Sequence, residues 1–160
     1  MNRLVAVCLG VLMVVSVAIS RPKTDAFALA DRIGQGDERS FFLFSTSAGS
    51  YIVRHDGMGE FTSVRGTRRV FNLRVGAKAR IDRVYFLEHD RDLFLLYAVH
   101  DATSEWAYLT RMEQTQRKAR WLTPLSIADP EAPVMDGDLV MIKDVAISKF
   151  DGRVVRHDLN

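Results

Sequence analysis

The chain has 160 residues, 22 of them basic and 20 acidic, for a net charge of +2, so it is the size of one domain that can bury a real core. Its near-neutrality gives no global attraction to a polyanion, and no nucleic-acid partner is expected. The single cysteine, Cys8, excludes disulfide frameworks and dithiol chemistry.

Residues 1–20 carry one charge, Arg3, followed by an apolar run from Leu4 to Ile19. A basic start before an apolar core is the layout of a secretory signal. Ala18-Ile-Ser20 offers small residues for cleavage next to that core, whereas Ala28-Leu-Ala30 lies beyond Arg21 and Lys23. The core is at the short end of the roughly 17–25 residues that span a bilayer. The expected location is therefore periplasmic or secreted, with an uncleaved inner-membrane anchor over 4–20 as the alternative. Cys8 sits inside this segment behind Val7, where a lipidation site wants a small residue. Without Arg3 the net charge falls to +1.

Residues 21–39 read as a linker, with 24–33 as a short helix ended by Gly34-Gln-Gly36. From Ser40 onward, β-branched and aromatic runs alternate with Gly, Asp, Ser and charged clusters. They predict strands over 41–46, 51–55, 60–64, 69–75, 83–88, 93–99, 105–112, 119–125, 139–143, 145–150 and 153–157. No stretch after Gly36 has a capped 3.6-residue apolar period. The fold class is all-β, made of antiparallel hairpins stacked as four-stranded sheets and preceded by an N-terminal hydrophobic helix. A β-sandwich is the alternative.

Four runs are apolar at successive positions: Phe41-Phe-Leu-Phe44, Val84-Tyr-Phe-Leu87, Leu93-Phe-Leu-Leu-Tyr-Ala-Val99 and Leu139-Val-Met-Ile142. Such strands need a cover on each face. With almost no helix to supply it, sheets must cover sheets.

The C-terminal hairpins have a further pattern. Arg120-Trp-Leu-Thr-Pro-Leu125, then Ala132-Pro-Val-Met-Asp-Gly-Asp-Leu-Val-Met-Ile142, then Ala146-Ile-Ser-Lys-Phe-Asp-Gly-Arg-Val-Val-Arg-His-Asp-Leu159 resembles the pyrroloquinoline-quinone-type β-propeller repeat. The resemblance covers about residues 80–160 well and 40–79 poorly. Val155 stands where that family usually has its docking Trp, and Asp151-Gly152 is a shortened turn. The resemblance implies stacked four-stranded blades. Eleven strands make about three, fewer than the 4–8 of closed propellers. This points to a partial propeller that closes by association, an open stack or a truncated remnant. The family's quinone enzymes use a cysteine pair and a full ring, which this chain lacks, so its non-catalytic scaffolding branch is the better comparison and no cofactor is expected.

Every histidine precedes an aspartate: His55-Asp56, His89-Asp90, His100-Asp101 and His157-Asp158. Neighbouring strand residues face opposite ways, so one pair cannot chelate one ion well. Asp at a strand end favours a turn by bonding its own backbone. Turn chemistry is the leading reading. A shared metal site of His55, His89, His100 and His157, serving a hydrolase, is the alternative.

Arg65, Arg68, Arg69, Arg74, Lys78, Arg80 and Arg83 crowd the stretch 59–85. They suit a charge-protected edge strand, or contact with an anionic membrane surface. Trp106, Tyr108, Trp121 and Tyr97 suit cross-strand packing or a ligand groove. Arg65, Arg68, Arg69, Arg74 and Trp106 are the candidate binding residues. No Gly-x-Ser-x-Gly elbow, phosphate-binding glycine loop, zinc spacing or haem attachment sequence is present. Together these readings describe a non-catalytic extracytoplasmic binding or scaffold module of the cell envelope that engages protein through strand edges and loops. It would take an envelope protein partner and could self-associate.

Overall fold

The computed structural model describes residues 25–35, 39–114 and 118–155, which fold into fifteen β-strands with no helix among them. The strands form three antiparallel sheets, none closed. The expected hydrophobic helix over 1–20 lies outside the described residues.

Chain order runs from β1 (Asp25–Ala26), β2 (Ala28–Leu29) and β3 (Asp31–Ile33) into three successive four-stranded meanders. The first meander is β4 (Phe41–Thr46), β5 (Gly49–Arg54), β6 (Met58–Ser63) and β7 (Arg68–Asn72). The second is β8 (Arg80–His89), β9 (Asp92–His100), β10 (Glu105–Glu113) and β11 (Ala119–Leu125). The third is β12 (Val134–Asp136), β13 (Leu139–Ile142), β14 (Val145–Ser148) and β15 (Val154–Val155). Each meander gains a fifth strand beside its first: β3 on β4, β2 on β8 and β1 on β12.

This arrangement corrects the expectation for 24–33. The segment is extended rather than helical, and it is no linker, because its strands belong to all three sheets. A helix of ten residues is marginal in water, whereas the extended segment satisfies backbone groups on three sheet edges that would otherwise stay open.

The second sheet is the middle layer. On β9, Leu93, Leu95, Tyr97 and Val99 pack with Phe42, Phe44, Tyr51 and Val53 of the first sheet. The alternate residues Phe94 and Leu96 pack with Met135, Val140, Ile142 and Ile147 of the third. Eight consecutive residues of β9 are buried, which explains a strand with no polar face. Burial of each leucine contributes roughly 1.5–3 kcal/mol. The two outer sheets differ. Phe42 and Phe44 turn inward while Phe41 and Leu43 are half-buried, and Leu139 to Ile142 alternate in the same way. Of the four double-faced runs, only those in the middle sheet meet a sheet on both sides.

Aromatic and polar contacts join the first and second sheets. Phe44 stacks on Tyr51 and on Phe86 of β8, with centroids 4.9 and 4.5 Å apart. Gly59 is required beneath Phe71, because a Cβ there would come within 2.1 Å of the ring. At the β9 entry end, buried Gln114 accepts hydrogen bonds from the Thr46 and Tyr51 hydroxyls at 2.7 and 3.2 Å and donates to Glu88 at 2.9 Å. The Ser47 amide donates to Glu88 at 2.8 Å, and the Ser47 hydroxyl donates to it as well.

The second and third sheets are pinned by Trp121. Its ring meets Phe94 edge-on at 6.0 Å, and its Nε1 donates to the Lys149 carbonyl at 3.2 Å. Arg111 donates to the same carbonyl at 2.9 Å and forms an ion pair with buried Asp92, whose Oδ2 accepts from its Nε at 2.7 Å. Gly152, at φ 72°, lies against the Trp121 ring, and a Cβ there would approach Trp121 Cε3 to 2.6 Å.

Trp121→Ala should therefore cost about 3 kcal/mol, the low end for truncating a buried aromatic, because the ring is only partly covered. Gly152→Ala should cost at least about 1–2 kcal/mol from its left-handed backbone alone. Urea unfolding of both variants measures this, and a loss below 1 kcal/mol in each would mean that the turn does not dock on the ring.

A second test uses pH. Partial burial raises the Glu88 pKa, but hydrogen bonds from the Ser47 hydroxyl, the Ser47 amide and Gln114 outweigh it, so the net shift is downward. A carboxylate held below its unfolded value stabilises the fold above that value and loses its contribution as pH falls through the folded one. Wild type should thus lose stability relative to Glu88→Gln below about pH 4.5, the ordinary value for this group. Parallel melting curves from pH 7 to 3 would refute it.

Candidate functional site

Three surface features could carry function: a charged cleft on the middle sheet, the turns that hold the His-Asp pairs, and the outer face of the first sheet.

The cleft, of about 410 Å³, lies where β8 begins and β9 ends, and is lined by Asp82, Arg83, His100, Glu105, Trp106 and Asp129 among others. Cross-strand pairing sets Arg80, His100 and Glu105 in one row. A bulge between Ile81 and Arg83 frees Asp82 from the ladder. Charges here pair with one another. Arg83 donates to Asp129 at 2.6 Å, and Arg32 to Asp82 at 3.3 Å. These ion pairs are exposed and worth little to stability, but they occupy the carboxylates that a ligand would need. Trp106 lines this cleft, yet it also packs against the core between the first and second sheets.

The histidines occupy separate places. His89 forms the β8–β9 turn, 3.4 Å from Asp90 and 3.8 Å from Asp25. His100 ends β9 at the opposite end, about 26 Å away at ~3.3 Å per residue. His55 sits in the β5–β6 turn, where its carbonyl accepts from Ile81 N at 2.8 Å. His157 lies outside the described residues. Among the described residues no three His, Cys, Asp or Glu side chains come together as a metal site.

The aspartates of the pairs hold turns. Asp101 accepts from the Thr103 and Ser104 amides, each at 2.8 Å, and these bonds hold its carboxyl below the usual range. Asp56 accepts from Met58 N at 3.1 Å. Asp90 adopts φ 57°, the left-handed conformation that a tight turn needs.

The candidate arginines do not share one face. Arg68 and Arg69 are adjacent on β7 and point to opposite sides. Arg68 pairs with Glu60 at 2.6 Å on the outer face, and Arg69 borders the groove between the first and second sheets. Arg65 lies in the β6–β7 turn, and Arg74 lies beyond β7, where its carbonyl accepts from the Tyr97 hydroxyl at 3.0 Å. Strand β7 is nonetheless the edge of its sheet, and charge suits that position.

The outer face of the first sheet was not legible as a site from the sequence. Register places Ile33, Phe41 and Arg54 in one row, and Asp31, Leu43, Ile52, Glu60 and Val70 in the next. Met58 shares this face, two residues before Glu60. Ile33, Ile52, Met58 and Val70 are 43, 38, 45 and 54% exposed. A signal did exist in Phe41-Phe-Leu-Phe44, whose apolar residues on both faces ask for two covers. The second sheet covers one face, and no sheet among the described residues covers the other.

The chain has no significant match among family models, curated proteins or solved structures.

If the aspartates serve turns, Asp56→Asn, Asp90→Asn and Asp101→Asn should each fold with a melting temperature close to wild type, since Asn makes the same turns. Asp101→Ala should lose about 1 kcal/mol, the usual worth of a backbone-bonding side chain. Metal analysis of the purified protein completes the test. A stoichiometric transition metal that vanishes on replacing all four histidines by Gln would show that they are ligands.

Proposed function

We propose that this chain is a non-catalytic extracytoplasmic module of the cell envelope that binds a protein partner through the outer face of its first sheet. The observation that carries this reading is the apolar surface of Ile33, Phe41, Leu43, Ile52 and Met58, with Val70 beyond Glu60, on an otherwise regular sheet. Exposed apolar patches of this kind mark interaction sites more often than they occur by chance.

Three meanders in sequence, each face to face with the next, support the resemblance to propeller blades, and so does the seating of Trp121 on the Gly152 turn of the following unit. On this reading the chain is a partial propeller, and the uncovered outer face of its first sheet is where a further unit would stack. The basic start and apolar run over 1–20 support export, with tethering by that segment or release after it.

Two measurements test the proposal. A reporter active only in the cytoplasm, fused after Asn160, should be silent. A photo-crosslinking residue at Val70 should form a protein adduct in intact cells, and Ile52→Asp should abolish it without changing the melting temperature. An active reporter would overturn the export reading, and a lack of any adduct would overturn the binding reading.

A further inference from the structure

The outer face of the first sheet also has features that select its partner. Most of its charges pair with one another, and Asp31 adds one negative charge. Arg68 pairs with Glu60 at 2.6 Å, and Arg54 pairs with Asp56 at 2.8 Å. Such a face has too little excess charge, and that negative, to recruit an anionic lipid surface or a strongly charged protein. It presents apolar side chains between neutral pairs, and a second identical face presents the same. The arrangement is also centred. Ile52 lies on β5, the middle strand of the five, with Leu43 and Glu60 as its cross-strand neighbours.

We propose that this face is an isologous interface between two copies of the chain, related by a twofold axis that passes beside Ile52. The inference rests on the module reading above and names its partner.

The geometry sets the strength. Four strands of five to six residues and one of three, about 4.8 Å apart, present roughly 400 Å² in projection. Two copies would bury on the order of 1,000 Å² of accessible surface, the lower limit for a specific interface. Such a dimer is weak at dilute concentration. If residues 4–19 hold the chain in a membrane, confinement there raises the effective concentration and favours pairing. The packing also repeats one that the fold already uses, since the inner face of this same sheet lies against the middle sheet.

The test uses the full chain in detergent micelles, with mass measured by sedimentation equilibrium at matched solvent density. Wild type should be a dimer when chains outnumber micelles, so that two copies share one micelle as they would share a membrane. The Ile52→Asp/Val70→Asp variant should weaken association at least tenfold with an unchanged melting temperature. A wild-type monomer would overturn the proposal. So would a variant that stays dimeric, since the contact would then lie elsewhere, in residues 4–19 for instance.

Cross-linking in cells gives the independent arm. With Cys8→Ser, the Ile52→Cys variant should form a disulfide-linked species of twice the chain mass, and Met141→Cys on the third sheet should not. Linkage only between mixed Ile52→Cys and Met141→Cys chains would replace the twofold pair by head-to-tail stacking. An adduct from Val70 of a mass other than twice the chain would reject self-association while leaving the module reading intact, and no adduct at all would reject both.

Discussion

The double burial of strand β9 is the constraint on which the rest of the structure depends. A strand whose eight consecutive residues are all buried cannot lie at a surface, and a lone pair of sheets cannot bury both of its faces. A third layer is required. Odd-numbered side chains of β9 draw in the first sheet and even-numbered ones the third, so one strand determines which sheet lies on which side. The first and third sheets need not touch, because each is held to the same central layer.

Polar contacts then fix how the layers align, which apolar burial alone would leave loose. Gln114 and Glu88 lock the turn between β4 and β5 to one end of the middle sheet. Arg111, Asp92 and Trp121 lock the turn after β14 to the other side of it. Both locks gather at the end of the middle sheet where β9 begins. The opposite end has the charged cleft, whose ion pairs Arg32–Asp82 and Arg83–Asp129 are exposed. Stability and surface chemistry thus concentrate at different ends of the same sheet.

The sequence made the strands legible because they are long and rich in β-branched and aromatic residues. The strands 41–46 and 119–125 have the boundaries read from their residues, and the others shift by one to three residues at an end. The leucine-rich run at 93–99 announced a doubly covered strand, and it is one. Strand β12 went unread because Val134–Asp136 is only three residues long and follows a proline. The first nine described residues misled for a different reason. Their alanines, leucine and phenylalanine favour helix locally, and nothing nearby reveals that the edges they pair with lie far along the chain. The charged cleft stayed hidden likewise, since it needs Asp129 beside Arg83, 46 residues apart. The outer face of the first sheet was half legible: Phe41 and Leu43 demanded a cover without saying whose.

The strap formed by β1, β2 and β3 has a consequence in time. Asp25 pairs with Met135, so the first described strand cannot dock until the chain has been made as far as that residue. During synthesis the β3 portion finds β4 at once, β2 waits for β8, and β1 waits for β12. The strap therefore closes from its C-terminal end backward, opposite to the direction in which the chain emerges. The late closure spans a loop of more than a hundred residues, a contact of the kind that slows folding. Until it forms, the first-strand edge of the third sheet remains open to any extended chain nearby. A newly made copy is thus most vulnerable to mispairing in the interval between the completion of the third sheet and the seating of Asp25–Ala26.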